Sequence, residues 1–192
     1  MARLAAADVF RGLTHNRRSA LWHSMAHDGP GRQHPLFAKA EPDELNPSSL
    51  PTMSLEEEVV ADYRTAGLSL RAHPLSFHRT ILDHWNVIAS DRLTHMQHRR
   101  RVTVAGLVIL RQRPSTANGI TFVTLEDEMG TVNLILHQSI WKRYYQVARR
   151  CSAWLAKGHV ERKDTVIHVV VQHLEDLSLR LKTVSVRSRD FR

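Results

Sequence analysis

Between Val102 and His173 one pattern recurs, a short run rich in Val, Ile, Leu and Thr bounded by charged or turn-forming residues. The runs are Val102–Leu110, Ile120–Leu125, Thr131–Leu136, Ala153–Val160 and Val166–Val171. Their lengths and branched side chains predict strands. After the third run, Ser139–Arg150 places Ile140, Trp141, Tyr144, Tyr145 and Ala148 at intervals of three and four, which predicts a helix with one apolar face. The predicted order is β-β-β-α-β-β.

Turn chemistry supports this division. Asn118-Gly119 precedes the second strand and Glu128-Met129-Gly130 the third, both fitted to tight connections. Gly106 and Gly158 fall inside predicted strands, where glycine marks a bulge or a sharp bend. Five short strands with one helix after the third is the layout of the OB-fold, a Greek-key barrel that binds oligonucleotides on strands 2 and 3 and in the loops joining strands 1 to 2 and 4 to 5. Those loops are predicted at Arg111–Asn118 and Glu161–Thr165. The third strand alternates, with Val132, Leu134 and Leu136 inward. The second does not, so the side on which Phe122 lies stays open.

The chain before the barrel follows other rules. Ala2–Phe10 reads as a helix ended by Gly12, and Thr14 can cap a second helix running to about Met25. Pro30, Pro35, Pro42, Pro47 and Pro51 exclude a long element across the next stretch. Ser54-Leu55-Glu56-Glu57 is a capping box that starts a helix ending near Thr65 and Gly67. Glu56, Glu57 and Glu58 are read as first-turn acids favoured by the helix dipole rather than as a metal site. His73-Pro74 is extended, Leu75–Trp85 helical and Val87-Ile88 a short extended piece. The fold class is therefore α+β: a five-stranded OB-fold barrel at 99–174, preceded by a helical piece at 1–28, a Pro-rich linker at 29–53 and a helical connecting segment at 54–98, and followed by a tail at 175–192.

Charge then points to a partner. Lysine and arginine number 27 against 19 acidic residues, a formal net charge of +8, which favours a polyanion. The single cysteine, Cys151, excludes an internal disulfide and suits a reducing cytoplasm. No apolar run reaches the roughly 20 residues of a membrane helix. His73, His78, His84, His95 and His98 show no partnered cysteines and no His-Glu-x-x-His spacing, so no metal site is expected.

The strongest functional constellation is basic. Arg99, Arg100 and Arg101 lead into the first strand, Arg111 and Arg113 lie in the first predicted loop, and Arg162 and Lys163 in the second. Together they predict contact with nucleic-acid phosphates, with Phe122 and secondarily Trp154 as candidates for base stacking.

These motifs carry a resemblance. Glu57-Glu58-Val59-Val60-Ala61-Asp62-Tyr63, Gly67–Leu75, Val104–Val108, Arg111-Gln112-Arg113-Pro114 and Thr124–Glu128 resemble the C-terminal part of bacterial error-prone DNA polymerases, C-family enzymes related to the polymerase III alpha subunit. Val166–Val170 and Ser188–Arg192 look like that family's last strand and terminus. The resemblance implies that residues 1–28 are the trailing end of a helix-hairpin-helix region. It further implies that the barrel binds single-stranded template DNA in replication and translesion repair. Catalysis would lie in a palm absent here, with no cofactor in this chain and Mg2+ in the missing catalytic part. Gln33, Leu36 and Phe37 match the family's short sliding-clamp peptide, although Pro35-Leu36-Phe37 could instead staple the linker to the barrel. Other polymerase or mutasome subunits are implied partners. The alternative reading is an interaction module that docks on replication proteins without gripping DNA.

Overall fold

The computed structural model describes residues 1–13, 16–28, 50–163, 166–178 and 189–191. They form two compact units, Met1–Ser69 and Leu70–Arg192. The sequence-based segment 54–98 is thus divided, its first helix belonging with the N-terminal helices.

In the first unit α1 (Ala2–Ala6) is shorter than its apolar pattern predicts, and turns follow, with Asp8 in the left-handed region at φ 59°. α2 (Arg17–Asp28) takes its cap from Asn16, whose Oδ1 accepts the Ser19 N–H at 2.7 Å; Thr14 lies outside the described residues. α3 (Leu55–Thr65) begins with the expected capping box. The Ser54 hydroxyl accepts from the Glu57 N–H at 3.2 Å, and the Glu57 carboxylate accepts from the Ser54 N–H at 2.8 Å. Ala5, Ala20 and Val59 are buried among the three helices. Small alanines allow close approach but bury little apolar surface, so the unit relies on a buried ion cluster. Arg17, 4% exposed, donates to the Glu58 carbonyl at 2.9 Å and to the Asp62 carboxylate, and lies 3.1 Å from Glu58 Oε2 and 3.8 Å from Asp8 Oδ1. Glu58 therefore neutralises a buried arginine besides sitting in the first turn of its helix.

The second unit is a closed barrel of β1 (Arg101–Gln112), β2 (Thr121–Asp127), β3 (Gly130–Leu136), β4 (Ala153–Lys163) and β5 (Val166–Asp176). A short strand, β6 (Arg189–Phe191), runs parallel to β1 at Leu110–Gln112. The sheet order is β2-β3-β5-β4-β1-β6, and a further β1–β2 pairing closes it. β1 is long because it serves two neighbours: Arg101–Leu107 pair with β4, and Leu107–Gln112 with β2. At this changeover a Cβ on Gly106 would stand 2.7 Å from Leu125 Cβ and 2.8 Å from the Glu126 carbonyl oxygen, so only glycine fits. Gly158 plays the same part against β5, where the register slips. The interior holds Val104, Val108, Val123, Leu125, Leu134, Leu136, Trp154, Val160, Val169 and Leu174.

The predicted helix after the third strand is present but broken. α5 (Gln138–Arg143) and α6 (Tyr145–Arg150) meet at Tyr144, whose φ and ψ of −107° and 27° are not helical. Tyr144 instead reaches His173 Nδ1 with its hydroxyl at 2.8 Å. Before the barrel, a 3₁₀ turn (Pro74–His78), α4 (Arg79–His84) and a second 3₁₀ turn (Ser90–His95) wrap its side. Val87 bridges Thr103 in parallel, as the short extended piece requires. Asp127, 4% exposed, fastens this segment to the β2–β3 turn. Its carboxylate accepts from Ser90 N at 2.7 Å, Ser90 Oγ at 2.6 Å, and the Met129 and Gly130 N–H groups at 2.9 Å. No helix among the described residues is long and apolar enough to cross a membrane.

Candidate nucleic-acid interface

The outward face of the β2–β3 hairpin follows from strict alternation. On β2, Thr121, Val123, Leu125 and Asp127 are buried, which sends Phe122, Thr124 and Glu126 outward; on β3, Val132, Leu134 and Leu136 are buried and Thr131, Asn133 and Ile135 face out. This alternation places Phe122 half-buried on the outer face, beside Ile135 on β3 and Gln112 on β1. Its neighbour Thr124 donates to Asn133 Oδ1 at 3.0 Å.

Register carries the outer surface on around the barrel, away from the hairpin. Ile135 pairs with Val170, Val170 with His159, and His159 with Arg101. One residue pair further along, Asn133 meets His168 and His168 meets Glu161. The loop between β1 and β2 leaves beside Gln112 and Phe122. The paired strand ends Lys163 of β4 and Val166 of β5 lie at the other end, because β5 begins two residues before His168 and so level with Thr131. The β1–β2 loop and these strand ends therefore bracket the hairpin face from opposite ends. Glu126 on this face has its carboxyl held above the usual range by burial and then by neighbouring Asp127.

The basic residues occupy different places. Arg113, exposed, stands in the loop at the Phe122 end, and Lys163, exposed, stands at the end of β4. Arg99 and Arg100 extend the β1–β4 ladder: Arg99 N donates to the Val160 carbonyl at 2.7 Å, and Val160 N to the Arg100 carbonyl at 2.9 Å. Arg100 and Arg101 open onto a cleft lined on its other wall by the connecting segment. Arg162 is exposed but engaged, donating through Nη2 to the carbonyls of Thr94 and Met96.

Three expectations are corrected. Arg111 is not a loop residue: it lies within β1, 6% exposed, its Nη2 donates to the Cys151 carbonyl, and its guanidinium carbon is 5.3 Å from the centre of the Trp154 ring. Trp154 is fully buried, its Nε1–H donating to the same Cys151 carbonyl at 3.0 Å, so its ring is core and unavailable for stacking on a base. The predicted loop from Glu161 is also shorter, since β4 pairs with β5 as far as Lys163 and Val166. Cys151, at the end of α6, has its thiol pushed up to about 11, first by burial and then by its hydrogen bond to Asp176. Gln33, Leu36 and Phe37 lie outside the described residues. No group of three or more His, Cys, Asp or Glu among the described residues is arranged to hold a metal ion.

The barrel and its bracketed face define the class. Residues 102–177 match the family described as "OB-fold nucleic acid binding domain", and this part of the chain is an OB-fold of that kind. Over its whole length the chain is homologous to a C-terminal stretch of the error-prone DNA polymerases. The enzyme of that name from Rhodopirellula baltica is 47% identical over 192 residues, 100% of this chain and 17% of the relative. That from Caulobacter vibrioides is 42% identical over 188 residues, 94% of this chain and 17% of the relative. The chain thus spans about a sixth of the length of these relatives. Among solved structures, asparaginyl-tRNA synthetase from Pyrococcus horikoshii is similar with a TM-score of 0.40 and 19% identity, over 46% of this chain and 22% of that one.

Proposed function

We propose that the barrel binds single-stranded DNA across β2 and β3, as the template-holding module of an error-prone polymerase whose nucleotidyl transfer is carried out elsewhere. The observation that carries this reading is the outward placement of Phe122 on a face with an exposed cation at each end, Arg113 at one and Lys163 at the other. A single strand needs such a combination: an aromatic platform for a base and cations spaced along the backbone. Thr124, Asn133 and His168 supply hydrogen-bonding groups between them that suit any base, so little sequence preference is expected. Within the same reading Gln33, Leu36 and Phe37 would dock on a sliding clamp, Leu36 and Phe37 filling an apolar pocket.

The test is a titration of oligothymidine across salt concentrations. Replacing Arg113 and Lys163 with Gln should lower the slope of log affinity against log salt by about 0.7 for each phosphate no longer neutralised. A slope equal to that of the wild type would remove these residues from the interface.

A second reading is favoured for the helical unit alone. Val9, Leu13, Trp22 and Met25 are 59%, 84%, 51% and 59% exposed, apolar side chains that a protein partner such as another polymerase segment would cover.

A further inference from the structure

The outer face of β1, β4 and β5 holds a second basic site, away from the hairpin. Here the connecting segment stands off the barrel and leaves an open cleft of about 910 Å³. Asp83, Asn86, Val87, Ile88, Arg92 and Met96 form one wall; Arg100, Arg101, Thr103, Lys157 and Gln172 rise from the other. The register explains the second wall. Thr103 pairs with Lys157 and Arg101 with His159, so alternate residues of two neighbouring strands project the same way. Gln172 joins them because it is the extra residue where β5 slips against β4, between the Lys157–His173 and Gly158–Val171 pairs.

Charge in this cleft is one-sided. Arg92, Arg100, Arg101 and Lys157 are all exposed. Among the described residues the three arginines form no ion pair, whereas Lys157 lies 3.3 Å from Glu175. The only carboxylate in the lining, Asp83, is 3.9 Å from Arg79 Nη1 and so already has a cationic neighbour. Like charges lining one cleft repel one another, and an anion bound among them relieves that repulsion. The planar donors of the guanidiniums match phosphate oxygens, and Asn86, Thr103 and Gln172 add neutral hydrogen-bonding groups.

The chemistry of the lining also indicates which phosphates. None of the lining residues is aromatic, so the cleft offers unpaired bases no stacking surface, unlike the face that carries Phe122. A duplex asks for none, since its bases are turned inward and it presents about one negative charge per 1.7 Å of axis. We propose that this cleft binds the phosphodiester backbone of double-stranded DNA, so that the chain holds a single strand on the β2–β3 face and paired DNA on the β1–β4 side. This rests on the reading of the barrel as a DNA-binding module, and the experiment separates the two.

Three probes are titrated in parallel by fluorescence anisotropy: oligothymidine, a blunt duplex, and a duplex with a single-stranded overhang. The variants are Arg92→Gln/Arg100→Gln/Arg101→Gln and, separately, Phe122→Ala, each checked for an unchanged melting temperature. Lys157→Gln serves as a milder cleft variant should the triple one lose stability. The cleft variants should weaken duplex binding, about tenfold for the triple at low salt, and lower its salt slope by about 0.9 for each phosphate left without its cation, with oligothymidine affinity within about twofold of wild type. Phe122→Ala should weaken oligothymidine binding without changing its salt slope and leave duplex affinity within about twofold of wild type, and the overhang probe should respond to both. Wild-type protein that binds oligothymidine but no duplex would overturn the cleft proposal alone, as would cleft variants that leave duplex affinity unchanged or weaken both probes equally. Wild-type protein that binds duplex but not oligothymidine would leave the cleft standing and refute the hairpin-face reading.

Discussion

Gly158 faces the main chain of Val170 so closely that a Cβ on it would stand 2.1 Å from the Val170 carbonyl oxygen and 2.9 Å from its carbon. That oxygen belongs to backbone held in the sheet, so no side-chain rotation can relieve the clash. The same position carries the register slip between β4 and β5, where the extra residue Gln172 bends β5 around the barrel. Gly158→Ala is accordingly expected to destabilise the barrel by about 3 kcal/mol or more. A urea titration of the variant checks this; a cost below about 1 kcal/mol, common for any substitution, would show that the strands part without penalty.

The helical unit depends on a different kind of interaction. Arg17 is buried among Asp8, Glu58 and Asp62, and Asp62 also accepts from Ser69 Oγ at 2.7 Å. Arg17→Ala removes the buried cation that Asp8, Glu58 and Asp62 share, a change expected to cost about 3 to 5 kcal/mol. Amide hydrogen exchange should show α2 and α3 losing protection. If those amides stay protected, the ion cluster is not what holds the helices together.

Much of the barrel was legible because its determinants are local. Apolar runs between turn residues fixed the five strands, and Gly106 and Gly158 announced the places where strands approach closely. Signals that failed were those that depend on distant partners. Arg111 sits among Gln112, Arg113 and Pro114 and reads as loop, yet its neighbours in the fold are Cys151 and Trp154, 40 and more residues away. Glu161, Arg162 and Lys163 carry no apolar signal, and their backbone pairing with β5 makes them strand. Arg17 is one charge among many until α3 brings Glu58 and Asp62 to it. The cleft was illegible for the same reason, since Arg92 and Lys157 meet only through the wrapping of the connecting segment. Phe122 was ambiguous because apolar residues occupy both faces of β2, and only the burial of Val123 and Leu125 resolves it.

His73 gives the barrel unit a pH dependence of predictable sign. Burial is the main cause that holds its imidazole below the usual value of 6.5, outweighing the attraction of Glu128 and Asp127. The unfolded chain therefore takes up a proton that the folded one resists. Stability from this group is complete above about pH 6.5 and is lost as pH falls below it. His73→Asn keeps an acceptor for the Leu75 N–H, which His73 Nδ1 receives at 3.2 Å, while removing the titration. Urea midpoints at about pH 7.5 and about pH 5.5 should therefore differ less for the variant than for the wild type. An equal difference in both would rule His73 out as a source of the acid sensitivity.

The central claim is that the outward face of β2 and β3 grips unpaired bases, and Phe122 tests it most directly. Phe122→Ala removes the one aromatic ring on that face of the two strands, without emptying the core, because Val123 and Leu125 point the other way. Base stacking on an aromatic side chain contributes about 1 to 3 kcal/mol, so oligothymidine affinity at fixed salt should fall between about fivefold and 150-fold. The salt slope should stay as in the wild type, since every phosphate keeps its cation. An affinity for oligothymidine equal to that of the wild-type chain, with the melting temperature unchanged, would contradict the account.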